Sequence, residues 1–432
     1  MEEGMFLIKQ LLFRFSNPIF RDSMFVLISN LLAQGMNFLT LIILARHFGP
    51  DQIALYTTSL ILLTLLLSLA DSGLSNSIVN LVNQKAINST HEMYEYLKAG
   101  LLIRVGLGLF ISFMGLFISE FLAINIYNSI SLKELFIFAF LGVAILSLHS
   151  YISTIYQTQN KFKIRSKYQI STSVIRMLGL IFLFLMPDHF TIMNSFIIYI
   201  FSPLIVMIFH FSEILKIIKQ PFTMENFKKK TKIIYSYSKW LFLSMVAVLL
   251  ISRLDQFMLL KMVTVKEAGY YAIATQLIMV LPLVTESLTT VLLPKVANIN
   301  TDLRFYRAKI IKIVGPVSLL LLLLIPIAEL IIVLLFGESY APAIPIFQIL
   351  VVGFSLDITI NLLSLVFYST SKVWYLTILN YIQLIIVIVG NLLLIPSFQA
   401  FGAALSAVIV RIIALVYILY FSSKVIKTTT SM

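Results

Sequence analysis

Charged side chains inside otherwise apolar stretches are the residues here with chemistry to offer. Arg253 and Asp255, in SRLDQFML, are the clearest case. An intramembrane charge costs at least about 2.5–3.5 kcal/mol on insertion scales, so each needs a partner, water or a ligand. Two positions apart on a helix, these side chains point to different faces and make no neat pair with each other. They either find partners on other helices or line an aqueous cavity. Arg176 and Arg411 stand near the middle of two further apolar stretches, and Arg104 nearer the end of another. A guanidinium keeps its charge when buried and grips phosphate oxygens bidentately, so arginines within a carrier suggest an anionic cargo. The alternative for each arginine is a structural pair with Glu329, Asp357 or one of the other intramembrane carboxylates. His149 and His210, toward the ends of their stretches, read as structural.

Two more carboxylates are tied together by an internal duplication. Leu44–Asn83 (LARHFGPDQIALYTTSLILLTLLLSLADSGLSNSIVNLVN) aligns without gaps on Leu259–Asn298 (LLKMVTVKEAGYYAIATQLIMVLPLVTESLTTVLLPKVAN). Tyr56 falls on Tyr271, Ser72 on Ser287, and Asp71 on Glu286. Asp71 opens the polar run Ser72, Gly73, Ser75, Asn76 and Ser77, and Glu286 is followed by Ser287, Thr289, Thr290 and Pro294. Such groups serve as helix-packing glue or line a cavity. Their recurrence favours a cavity in which Asp71, Asp255 and Glu286 bind a coupling ion, relay protons or hold an arginine in place.

The elements that must position these groups are membrane helices. The 432 residues are 59% hydrophobic and 12% charged, with mean hydropathy +0.98, far from the roughly 25% charged of soluble domains. Apolar windows of about 20 residues, enough to cross a bilayer core, recur from end to end. The pattern predicts twelve spans, over 24–46, 52–82, 97–119, 133–157, 168–187, 191–216, 236–262, 267–295, 310–336, 342–369, 373–396 and 401–423. Residues 1–23, with Lys9, Arg14 and Arg21, are placed along the cytoplasmic face, and no cleavable signal peptide is recognised. Of the 32 Lys and Arg, only Arg46, Lys133, Lys261 and Lys266 fall at outer ends when both termini are cytoplasmic. The net charge of +13 therefore reads as anchoring at anionic lipid rather than nucleic-acid binding. The expected organisation is an all-α bundle of two parallel six-helix repeats around a central cavity: a lobe over 1–216, a cytoplasmic linker over 217–235 with Lys228, Lys229 and Lys230, and a lobe over 236–432.

Several functions are excluded by what the chain lacks. With no cysteine, disulfides and thiolate metal sites are impossible. There is no nucleotide-binding G-x-x-x-x-G-K-[ST], no H-E-x-x-H and no nucleophile elbow, so no cofactor, metal or enzymatic role is expected. Energy must come from an ion gradient, the membrane potential or the cargo's own gradient.

With these residues in view, the chain resembles the Wzx-type polysaccharide repeat-unit flippases, of the superfamily that also holds lipid II flippases and multidrug/toxin extruders. The resemblance is carried by LARHFGPDQIALY leading into LADSGLS, by SRLDQFMLLKMVTVKEAGYY, by FGESYAPAIPIFQIL (Phe336–Leu350) and by NLLLIPSFQAFGAALSA (Asn391–Ala407). It implies a two-lobed carrier in the bacterial inner membrane whose cavity opens alternately to either face. Its cargo would be an undecaprenyl-diphosphate-linked oligosaccharide, flipped outward for O-antigen, capsule or exopolysaccharide assembly, with the pathway's polymerase and chain-length regulator as partners. On that reading Arg253, Arg176 and Arg411 attract the diphosphate or acidic sugars, while Asp71, Asp255 and Glu286 tune them or couple the cycle to an ion. The competing readings are a cation-coupled multidrug exporter of the same fold and a polysaccharide polymerase or ligase.

Overall fold

The computed structural model describes residues 18–84, 90–221, 223–279, 303–370, 372 and 374–430. Every element among them is helical: α1 (Pro18–Asp71), α2 (Leu74–Gln84), α3 (Thr90–Glu120), α4 (Ser131–Thr158), α5 (Phe162–Phe184), α6 (Ile192–Ile218), α7 (Met224–Met262), α8 (Val265–Ile278), α9 (Leu303–Leu321), α10 (Ala328–Phe336), α11 (Ala343–Ser369) and α12 (Trp374–Thr430). Lys9, Arg14, Glu286, Pro294 and the 280–295 part of the second duplicate lie outside the described residues.

Against the predicted twelve spans, six stretches among the described residues are long and apolar enough to cross a membrane. They are Phe25–Asp71, Thr90–Ile126, Ser131–Thr158, Ile192–Ile218, Ala343–Ser369 and Trp374–Ile426. Ser318–Leu324 with Ala328–Phe336, bent by 54°, makes a seventh if taken as one span. The first and last of the six are 47 and 53 residues long, and each is broken by a residue with non-helical backbone, Gly49 (φ 75°) and Gln399 (φ 52°). At Gly49 the missing Cβ makes the left-handed turn possible at little cost, and Pro50 restarts the helix from its first turn, where it has no N–H to waste. α5 falls short of this standard because its first two thirds carry Lys163, Arg165, Lys167 and Arg176 among serines and threonines.

Helix faces are sorted opposite to those of a soluble protein. On α3 from Arg104 onward the buried stripe is Arg104, Gly108, Ser112, Gly115 and Ser119, while Leu109, Phe110, Phe113 and Phe117 point outward, each more than half exposed. Small inward residues let backbones approach closely, and Ser112 Oγ donates to the Phe140 carbonyl of α4 at 2.8 Å. Outward apolar surface on this scale suits lipid, not water. The chain is a multi-pass membrane protein.

The chain divides into two compact units, Met1–Ile43 with Leu62–Leu243, and Leu44–Ile61 with Ser244–Met432. The first is centred on Ile78, Leu97, Tyr96, Tyr151, Ile155, Tyr168 and Ile217. Lys230 of α7 joins it, reaching Glu92 at 2.8 Å and Glu95 at 3.3 Å on α3 and lying over the Tyr96 ring. Lys98 donates to the Ile218 and Gln220 carbonyls, both at 2.6 Å, and so caps the C-terminal end of α6.

The second unit contains an excursion from early in the chain, residues 44–61. Arg46 donates to the Leu334 and Leu335 carbonyls at the C-terminal end of α10, where a cation also meets the negative end of the helix dipole. Tyr340 Oη donates to the Ala45 carbonyl at 3.3 Å. Gly269 of α8 lies so near Pro50 that a Cβ there would stand 2.1 Å from its carbonyl oxygen. Glu267 accepts from the Ala400 N–H at 3.4 Å, just after the break in α12.

Candidate functional site

In the first unit, Asp71 ends α1. Ser72 (φ 46°) and Gly73 (φ 71°) turn the chain before α2 begins. The carboxylate accepts from Ser75 Oγ at 2.5 Å and from the Ser75 N–H at 3.3 Å, and so serves the N-terminal end of α2 as a cap. Arg104 of α3 forms an ion pair with the same oxygen. That guanidinium also donates to Ser75 Oγ at 2.7 Å and to Ser150 Oγ of α4 at 2.5 Å. Thr154 closes the network with a 2.9 Å bond to Ser75 Oγ. The Asp71 charge is thus satisfied by Arg104, in a structural pair of the kind the sequence offered as the alternative for each intramembrane arginine. Nothing local could have shown it: the two residues are 33 positions apart on different helices.

Arg176 of α5 is housed differently. It is 9% exposed, and its guanidinium lies 3.7 Å over the Tyr199 ring of α6. Its buried Nε has no hydrogen-bond acceptor, and among the described residues no carboxylate is within ion-pair distance of it. Two turns up the same helix lies Tyr168, stacked on His149 of α4 with centroids 4.6 Å apart. His149 Nε2 meets Thr172 Oγ1 at 2.9 Å, and His210 of α6 sits edge-on to Tyr168 with its Nδ1 2.6 Å from Tyr156 Oη.

The second unit gathers three of the residues selected by sequence, since Arg253 and Arg411 both lie within electrostatic reach of Asp255. Asp255 does not pair with Arg253; it accepts a hydrogen bond from Tyr271 Oη on α8 and one from the Gln256 N–H at 2.9 Å. Tyr271, the duplicate of Tyr56, was visible as a repeat position but not as a site residue. Arg411 donates through Nε to Asp357 at 2.9 Å and covers the Phe354 ring at 3.7 Å. Arg253, half-buried, has no ion-pair partner among the described residues. The selected residues therefore fall into two sets. Asp71, Asp255 and Arg411 have partners within their own unit, whereas Arg176 and Arg253 form no ion pair with a carboxylate among the described residues.

Comparison with known proteins fits this frame. Polysaccharide biosynthesis proteins match residues 19–300. No curated protein matches the chain. Among solved structures, the lipid II flippase MurJ in an inward closed conformation superposes with TM-score 0.73 at 18% identity, over 91% of this chain and 86% of that one. A MATE transporter from Vibrio cholerae does so with TM-score 0.61 at 13% identity, over 99% of both chains. A MOP superfamily transporter from Pyrococcus furiosus gives 0.57 at 15%, over 94% and 96%. At such identities these structures establish the fold. A shared helical membrane fold and a family match across well over half of the sequence converge: the chain belongs to the polysaccharide biosynthesis protein family.

Proposed function

We propose that this protein is a flippase for polyprenyl-diphosphate-linked oligosaccharide repeat units, moving them from the cytoplasmic to the outer leaflet of a bacterial inner membrane for assembly of O-antigen, capsule or exopolysaccharide. The observation that carries the reading is Arg176, a buried guanidinium over an aromatic ring with no ion-paired carboxylate among the described residues. A desolvated cation of this kind is costly unless an anion visits, and a diphosphate offers oxygens in the fork geometry arginine prefers. In the second unit Arg253 is a further cation without an ion-pair partner among the described residues, and Asp255 shapes the field around it. Asp71 fixes Arg104, and Glu286 is assigned the corresponding role in the second duplicate. The family supports the pathway, and the likeness to a lipid II flippase supports the class of cargo.

An exporter of organic cations would need carboxylates free to receive them. Here Asp71 is bonded to Arg104, Asp255 to Tyr271 and Asp357 to Arg411, which favours the anionic cargo. The proposal includes twelve spans in two parallel six-helix lobes, 1–216 and 236–432, joined by a cytoplasmic linker over 217–235, with both termini cytoplasmic. The polymerase and chain-length regulator of the pathway would receive the flipped unit.

The test is complementation of a bacterium lacking its repeat-unit flippase, with the matching sugar genes supplied. Surface polymer is expected with the wild-type chain and lost with Arg176→Ala at equal abundance. Absence of polymer despite membrane-inserted protein and confirmed lipid-linked precursor would overturn the reading.

A further inference from the structure

His149 has one nitrogen committed and one free. Thr172 Oγ1 donates its only hydrogen to the Tyr168 carbonyl at 3.0 Å, so toward the imidazole 2.9 Å away it can act only as an acceptor. With Thr172 oriented in that way the proton of neutral His149 sits on Nε2, and among the described residues Nδ1 has no hydrogen-bond partner. The residue is of intermediate exposure, with its ring stacked on Tyr168. Thr172 and Arg176 are four residues apart on α5, which puts them on one helix face, one turn apart. The Arg176 charge reaches His149.

The other groups facing this ring complete the balance. α5 presents Tyr168 along with Arg176, and α6 presents His210, whose own neighbours are Tyr156 and Glu213. Glu213 is engaged by Lys216 at 2.6 Å. On the α3 side Arg104 is held by Asp71 and bonds Ser150, the residue after His149. No carboxylate among the described residues pairs with His149, so its protonation would place a second cation near Arg176 in a medium of low dielectric, an arrangement Coulomb's law penalises. An anion on Arg176 removes that penalty.

We propose that His149 Nδ1 is a proton-binding site linked to the anion site at Arg176, so that arrival of a diphosphate on Arg176 draws one proton from water onto His149. The inference rests on Arg176 being the phosphate site. Linkage makes it reciprocal: protonated His149 raises anion affinity and deprotonation lowers it. A carrier built this way takes up an anion and a proton together and releases them together, so that each cargo crosses with one negative charge fewer.

The test uses purified full-length protein in detergent micelles with farnesyl-diphospho-N-acetylglucosamine. Both of its phosphates are esterified and neither titrates between about pH 5 and 8, the range in which histidine does. Calorimetry in buffers of different ionisation enthalpy reads proton uptake. The wild-type protein is expected to take up close to one proton per probe near the lower end of that range. Its affinity should fall by up to about tenfold per pH unit above the titration of His149. His149→Gln, whose amide can still donate to Thr172, should bind the probe with a flat pH dependence and no uptake. His210→Gln should keep the wild-type behaviour, and Arg176→Gln should lose binding.

Unchanged uptake in His149→Gln, or its disappearance only in His210→Gln, would overturn the proton site and leave Arg176 as the anion site. No binding by the wild-type protein would overturn both. Histidine-selective nitrogen-15 NMR of the unmutated protein, with five histidines to resolve, checks the same point without a variant. The His149 resonance should titrate at higher pH with probe bound; an unmoved titration would overturn the inference.

Discussion

At the scale of single residues, the buried charges divide into those with a partner and those without one among the described residues, and the proposal above assigns the ligand to the second set. Arg104→Ala leaves the Asp71 carboxylate 13% exposed and without its cation, and removing one partner of a buried pair typically costs about 3–5 kcal/mol. We expect a lower Tm in detergent for that variant, and a large recovery when Asp71→Leu is combined with Arg104→Met, because both charges are then gone. If the double variant melts as low as the single one, the pair contributes more than mutual neutralisation. The identity of the charged residues was legible in the sequence, since an arginine in an apolar run is conspicuous on composition alone. Their partners were not. Asp71 and Arg104, or Arg411 and Asp357, meet only because separate helices are placed side by side, and spacing along the chain carries no trace of that. Asp255 shows the same limit, having taken a tyrosine hydroxyl from the next helix where an arginine was the natural suspect.

At the scale of elements, helix ends are held by side chains from distant segments. Gly269→Val would drive a branched side chain into the Pro50 backbone, and such overpacking costs typically about 1–3 kcal/mol. The expected result is reduced abundance and lower Tm, while Gly106→Ala, a glycine with open space around it, should be neutral. Lys230 makes a second element-scale prediction. Burial works against its charge, but the Glu92 and Glu95 carboxylates and Tyr96 outweigh it and hold the ammonium above its ordinary range. A group raised in the folded state stabilises fully below its unfolded value and loses that contribution as pH rises through the folded one. The Lys230 clasp should therefore be intact at neutral pH and loosen only above about pH 10.5. A Lys230→Met variant should expose a protease site near Gln220 at neutral pH, and equal cleavage of both proteins would remove the clasp from this account. The breaks at Gly49 and Gln399 divide in legibility. The Gly-Pro pair announces the first, whereas nothing in the residue type at Gln399 signals a left-handed backbone.

At the scale of the whole molecule, the topology proposed above is open to a direct check, because the chain has no cysteine of its own. Asn160→Cys and Gln220→Cys should react with an impermeant maleimide only after the membrane is opened, and Asn128→Cys in intact cells. Labelling of Gln220→Cys from outside would invert the assignment. Apolar periodicity and the lysine–arginine bias made the membrane class and helical nature legible, since both follow from bilayer thickness and surface potential. The assignment of residues 44–61 to the second unit was not legible, because it depends on hydrogen bonds between positions almost 300 apart.

That separation has a consequence for how the protein is made. Arg46 and its acceptor at Leu335 are 289 residues apart, and at about 5–20 residues per second a ribosome needs roughly 15–60 s to reach the second after the first. Throughout that interval the early corner is already synthesised while the carbonyls that will receive it do not yet exist. The nascent chain must therefore keep an incomplete segment in reserve, within reach of the insertion machinery and the proteases that survey it. A ribosome that stalls before Leu335 leaves that corner unclaimed, a mark by which a truncated product can be told from a finished one.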